Sequence, residues 1–204
     1  FPDYHLYDDF VSGYLESGAK RNEFKEFLDY SIGFVTRGCF RKCGFCVNKK
    51  YDRVFKHSPL SEFYDPSRPK ICLLDDNFFG YPQWREILEE LQQTGKPFKF
   101  KQGLDERLLT DEKCELLCQS KYDGHITFAF DNVADYRMIE KKLQLIRKHT
   151  DKQFTFYVLC GYESIDETDI ENVFIRIRLL MKYKCVPYIM RYENYKNSPY
   201  RGMY

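Results

Sequence analysis

No run in the 204 residues is long and apolar enough to cross a membrane, and no signal-peptide pattern is present. Charge of neither sign dominates: 32 Lys and Arg stand against 31 Asp and Glu, which argues against a protein-wide field for nucleic acid. Tryptophan occurs once, the four histidines His5, His57, His125 and His149 are scattered, and there is no internal repeat or low-complexity block. Eight cysteines in a chain this long are not the density of a disulfide-held secreted scaffold, and 43% hydrophobic residues allow an ordinary core. Together these absences predict one globular domain in a reducing, cytoplasmic setting without a membrane partner.

Aromatics are abundant, with 17 Tyr and 18 Phe, mostly core and packing residues at that level. The most informative stretch is Gly33-Phe34-Val35-Thr36-Arg37-Gly38-Cys39-Phe40-Arg41-Lys42-Cys43-Gly44-Phe45-Cys46, which sets three thiols at C-x3-C-x2-C spacing. Ser31 to Thr36 reads as a strand, which puts the thiols on a loop at its C-terminal end. Gly38 and Gly44 let that loop close around something small, having no Cβ to obstruct it. Thiolates at this spacing suit zinc, copper(I) or iron–sulfur clusters. A structural zinc site wants four ligands, which His57 could complete. A cubane 4Fe–4S cluster held by three cysteines keeps one iron open.

Downstream, hydrophobic periodicity alternates between strand and helix. Strands are expected at Lys70–Leu74, Phe98–Gln102, His125–Asp131, Phe154–Cys160 and Val186–Arg191. Helices are expected from Pro82 to Gly95, after a Thr110 cap, after an Asp135 cap, and over Glu167–Lys182, with Ile170, Val173, Phe174, Ile177, Leu180 and Met181 inward. A short helix capped by Ser58 should follow the irregular, basic 47–57 stretch. Residues 1–28 read as a lead-in with two short helices, 29–193 as the core, and 194–204 as a surface tail. Six strands, each but the last followed by a helix, predict an α/β fold with a parallel sheet, too short for an eight-stranded barrel.

In parallel βα folds the site forms at the C-terminal strand ends. Those ends supply Asp75, Asp76 and Asn77; Gln102, Asp105 and Arg107; Asp131 and Asn132; Gly161 and Glu163; Arg191 and Glu193. Any one of them could be a turn former; all of them on one rim point to a binding site.

The cysteine spacing, with Phe45 just before the third thiol, resembles the signature of the radical S-adenosylmethionine (SAM) superfamily. The Asp75-Asp76-Asn77-Phe78 run, Gln102-Gly103-Leu104-Asp105-Glu106-Arg107, and Gly161 followed by Glu167-Thr168 resemble its cobalamin-associated branch. Asp75-Asp76-Asn77 departs from the Gly-Gly-Glu common elsewhere in the superfamily. The resemblance covers about residues 30–193 and implies a partial (β/α)6 barrel. It implies that Cys39, Cys43 and Cys46 hold a 4Fe–4S cluster whose open iron binds SAM. Phe45, Asp75, Asp76, Asn77, Gln102, Asp131, Glu163 and Arg191 are the expected SAM-side residues. The activity implied is one-electron cleavage of SAM to a 5′-deoxyadenosyl radical acting on an unidentified substrate, with a flavodoxin or ferredoxin as electron donor. Cobalamin itself is unsupported: no Asp-x-His-x-x-Gly motif occurs, and a cobalamin domain would have to lie upstream of Phe1.

Arg37, Arg41, Lys42, Lys49, Lys50, Arg53 and Lys56 crowd one stretch against Asp52 alone. The plain reading is a solvated loop; the functional one is a docking patch for an acidic electron donor or an anionic substrate. Cys72, Cys114, Cys118, Cys160 and Cys185 read as core residues, with a Cys114–Cys118 metal pair as the alternative for those two. Two other functions stay open: a zinc-bearing module binding RNA or DNA through the basic loop with Tyr51 and Phe55, and a cluster protein confined to electron transfer.

Overall fold

The computed structural model describes residues 3–204; Phe1 and Pro2, the start of the expected lead-in, lie outside the described residues. Among the described residues eight strands form: β1 (Tyr30–Gly33), β2 (Thr36–Arg37), β3 (Phe55–Lys56), β4 (Lys70–Leu73), β5 (Phe98–Phe100), β6 (Ile126–Ala129), β7 (Phe154–Cys160) and β8 (Cys185–Arg191). The helices are α1 (Asp8–Glu16), α2 (Lys25–Asp29), α3 (Trp84–Gln93), α4 (Asp111–Gln119), α5 (Tyr136–His149) and α6 (Glu167–Lys182), with short 3-10 turns between. β1, β4 and β5 make one parallel sheet, β6, β7 and β8 another, and β2–β3 is an antiparallel hairpin. The two parallel sheets meet where Phe98 bridges Tyr122 and Leu104 N–H donates to the Thr127 carbonyl at 2.9 Å. The chain is thus a mixed α/β fold with parallel sheets. Among the described residues no helix is long and apolar enough to cross a membrane.

Alternation explains how each sheet takes its helical cover. Along β7, Phe154, Phe156, Val158 and Cys160 are buried, while Thr155, Tyr157 and Leu159 on the other face are half-buried. The buried face meets α6, and burying each such Phe contributes roughly 1.5–3 kcal/mol. On α3, Ile87, Leu88 and Leu91 are buried at helical spacing. Thr110 caps α4, its hydroxyl accepting Lys113 N–H at 3.3 Å.

Several expectations need correction. The first strand does not run on to Thr36: it ends at Gly33, and the chain steps out of the sheet because Asp75 accepts the Val35 and Thr36 N–H groups at 3.3 and 2.6 Å. The stretch after Cys46 is not wholly irregular, since Phe55–Lys56 pairs with Thr36–Arg37. No α-helix lies between β1 and β4, only a 3-10 turn at Leu60–Glu62. Ser58 does not cap it, because its hydroxyl is buried against Tyr4 Oη at 2.9 Å. Asp135 precedes α5 without a capping bond; Asn132 instead caps the preceding turn, accepting Ala134 N–H at 2.8 Å. Phe174 and Met181 are exposed on α6, where Arg176 and Leu179 are buried. The tail is not simply a surface loop: Ser198 is buried and donates to the Ile165 carbonyl at 2.5 Å.

Candidate functional site

The β2–β3 hairpin presents the cysteine loop. At its start Gly38 has φ +92°, and a Cβ there would fall inside the Arg53 carbonyl oxygen, so only glycine fits. Asp76 accepts Gly38 N–H at 2.8 Å and Arg37 Nη1 at 3.3 Å. Lys42 Nζ donates to the Lys49 and Tyr51 carbonyls at 2.9 and 2.8 Å, and Lys49 Nζ to the Gly44 carbonyl at 2.6 Å. Much of the basic run therefore fastens the loop to itself. Lys50, Arg53 and Lys56 remain exposed and form no ion pair among the described residues.

The sulfurs attract N–H donors. Cys39 Sγ accepts Arg41 N–H at 3.3 Å and Asn77 Nδ2 at 3.4 Å; Cys46 Sγ accepts Asn48 N–H at 3.3 Å. Behind them Asp105 is a buried hub, accepting Arg41 Nε at 2.9 Å, Arg107 Nε at 2.7 Å and Asn77 Nδ2 at 3.2 Å. Although burial opposes it, the two arginines, Arg107 foremost, hold the Asp105 carboxyl below its ordinary value. Asn77 is 3% exposed, and its Oδ1 is buried without a hydrogen-bond partner.

Beside the loop lies a cavity of ≈ 190 Å³. Cys43, Gly44 and Phe45 form one wall; Glu106, Arg107, Asp131, Asn132, Tyr162, Glu163 and the α6 side chains Asp169, Asn172 and Arg176 form the others. Phe45 and Tyr162 meet edge to face at 5.5 Å, and Asn132 Nδ2 donates to Glu163 Oε1 at 2.6 Å. Burial raises the Asp131 carboxyl to about 6, and burial with the neighbouring Asp105 charge raises Glu106 to about 8. Burial also raises the Cys43 thiol, with Cys46, Asp131 and Cys39 adding to it against Arg107. Arg176, 2% exposed, donates to the Phe130 and Asp131 carbonyls at 2.9 and 2.8 Å and so holds the end of β6.

Of the expected residues, Cys43, Phe45, Arg107, Asp131, Asn132 and Glu163 line the cavity. Cys39 and Cys46 share the loop; Asp75, Asp76 and Asn77 lie behind it as its supports. Asp75 is fully buried on Thr36, with its carboxyl raised to about 7 by burial. Gln102 and Arg191 are exposed and do not line the cavity; Arg191 lies over the Tyr195 ring at 5.5 Å. The polar strand ends therefore do not all face one rim. Glu106, Tyr162, Asp169 and Arg176 were not anticipated. Asp169 and Arg176 were legible, since they fall at helical spacing with Val173 and Leu180 on the inward face of α6.

Among the described residues, no three of His, Cys, Asp and Glu are drawn together to hold a metal ion. The donor chemistry still fits a thiolate-bound group: three thiols on one loop, two of them already accepting backbone N–H bonds. His57 does not approach as a fourth ligand. It follows β3 at the end of the hairpin away from the loop, with its N–H on the Val35 carbonyl and Nδ1 3.1 Å from Ser58 Oγ. Cys114 is buried in the core, which pushes its thiol up to about 12. No known protein-family profile matches the chain, and no curated protein matches it.

Proposed function

We propose that this chain is a radical SAM enzyme built on a partial (β/α)6 barrel, with Cys39, Cys43 and Cys46 holding a 4Fe–4S cluster. The observation that carries the proposal is the position of the loop: three thiols stand past the end of β1, and the middle one, Cys43, opens onto a cavity at the ends of β6 and β7. Six parallel strands in chain order, with Leu104 just past β5 donating to the Thr127 carbonyl of β6, support the barrel reading. The exclusion of His57 from the loop weighs against a Cys3His zinc site.

When bound, the cluster and SAM would supply one-electron cleavage of the C5′–S bond and a 5′-deoxyadenosyl radical for hydrogen abstraction. The chain would do the holding. Phe45 and Tyr162 offer ring surfaces for adenine, and Asp131, Asn132 and Glu163 offer partners for ribose hydroxyls. At ≈ 190 Å³ the cavity suits the nucleoside end alone, below the about 300–1,000 Å³ of pockets that enclose a drug-sized ligand. Phe45, Tyr162 and Leu159 would keep water from the reacting bond.

The test is anaerobic reconstitution with iron and sulfide, followed by dithionite and SAM. Iron and sulfide uptake that is lost in Cys39→Ala, Cys43→Ala and Cys46→Ala but kept in Cys118→Ser, together with 5′-deoxyadenosine, is the expected result. Zinc bound in place of iron overturns the proposal; a cluster without 5′-deoxyadenosine leaves electron transfer as the function.

A further inference from the structure

We infer that Asn77 is a positioning residue that tunes the cluster through the Cys39 sulfur, with Asp105 holding its amide in the donating orientation; this rests on the function proposed above. An asparagine amide can face either way, and its neighbours decide which. Here Nδ2 lies 3.4 Å from Cys39 Sγ and 3.2 Å from Asp105 Oδ2. An ionised carboxylate only accepts hydrogen bonds, so the flipped amide would set oxygen against oxygen in a residue that is 3% exposed. Arg41 and Arg107 keep Asp105 ionised and in place, at 2.9 and 2.7 Å.

The arrangement has a cost that packing alone would not require. Asn77 Oδ1 is left buried without a partner, and an apolar side chain of similar size would remove that penalty. What an apolar residue could not supply is an N–H aimed at a cysteine sulfur. Of the three cysteines, Cys39 is the one that receives a side-chain donor as well as a backbone one. Hydrogen bonds to the sulfurs stabilise the more negatively charged, reduced state and raise a cluster's potential. Asn77 therefore makes the cluster easier to reduce.

The experiment is a potentiometric titration of the reconstituted chain without SAM. Asn77→Leu and Asn77→Ser should keep iron and sulfide content while moving the midpoint to a more negative potential. Asn77→Asp should move it further, because an acceptor and a charge replace the donor. Asn77→Gln, which keeps the amide, should recover part of the shift. A merely structural residue would lower iron content but leave the potential of the loaded fraction at the wild-type value, and that result overturns the inference. Loss of cluster from all four variants overturns it as well. If the wild-type chain itself takes up no cluster, the proposed function fails first; a wild-type cluster with unshifted variants rejects this inference alone.

Discussion

Asp105 accepts Arg41 Nε at 2.9 Å, and that bond ties the cysteine loop to the segment following β5. The two residues are 64 positions apart in the chain. Arg41 is the second residue after Cys39, so the position of the first thiol is set partly by an acid on another strand end. The same carboxylate orients Arg107 toward the cavity and Asn77 toward Cys39.

Replacing that acid should loosen the whole loop. Asp105→Ala removes the acceptor for Arg41, Arg107 and Asn77 together. Because both guanidiniums are about one-third exposed and can reach water, we expect a loss of roughly 2–3 kcal/mol, below the full cost of breaking a buried pair. Urea unfolding of the chain without metal measures it; a change under about 0.5 kcal/mol would mean the hub is dispensable.

The two loop glycines should differ sharply. Gly38→Ala meets the Arg53 backbone and a left-handed φ, so at least about 1–2 kcal/mol should be lost and the hairpin should open. Gly44→Ala meets only the hydroxyl end of Tyr162, which can swing aside. It should leave stability nearly unchanged but alter Tyr162 fluorescence. Equal destabilisation by both would contradict the placement of Tyr162.

Stability should fall as pH rises toward 8. Glu106 is raised to about 8 from its ordinary value of 4.5 by burial and the neighbouring Asp105. The folded chain then binds more protons than the unfolded one between those values, so this contribution is complete below about 4.5 and is lost as pH approaches 8. The slope for one such group is at most about 1.4 kcal/mol per pH unit. Asp75 and Asp131, raised to about 7 and 6, act in the same direction at lower pH. Asp105, held low by its arginines, acts oppositely, losing its contribution only as pH falls below the ordinary carboxylate range. Glu106→Gln should flatten the decline between pH 6 and 8 in thermal melts, and an unchanged profile would mean Glu106 is not the group responsible.

Charge reversal at the outer face of the loop separates docking from loop support. Lys50→Glu with Arg53→Glu should slow reduction of the reconstituted chain by a flavodoxin and leave reduction by dithionite unchanged. Lys49→Glu should slow both, because Lys49 Nζ holds the Gly44 carbonyl at 2.6 Å. Equal slowing by both reductants in the double variant would remove the docking role.

Much of the framework was readable along the chain. The β7 and α6 spans match the expected Phe154–Cys160 and Glu167–Lys182, because buried positions recur every second residue along β7 and Ile170, Val173 and Leu180 keep helical spacing along α6. The break after Gly33 was not readable. Val35 and Thr36 are as strand-like as their neighbours, and what draws them out of the sheet is Asp75, 39 residues beyond Thr36. The cavity wall was half legible: Asp131 and Glu163 follow strands, whereas Glu106 sits in a turn whose burial depends on β6 closing over it.

Spacing along the chain determined the alternation of strand and helix, and hence the parallel sheets, because such periods depend only on near neighbours. The pairing of distant polar groups was settled in three dimensions. Asp75 turned inward to the backbone, Gln102 and Arg191 turned away, and Asp105 gathered Arg41, Arg107 and Asn77. Those outcomes depend on which groups lose water together when the layers close, and a buried charge is stable only where partners from other elements reach it.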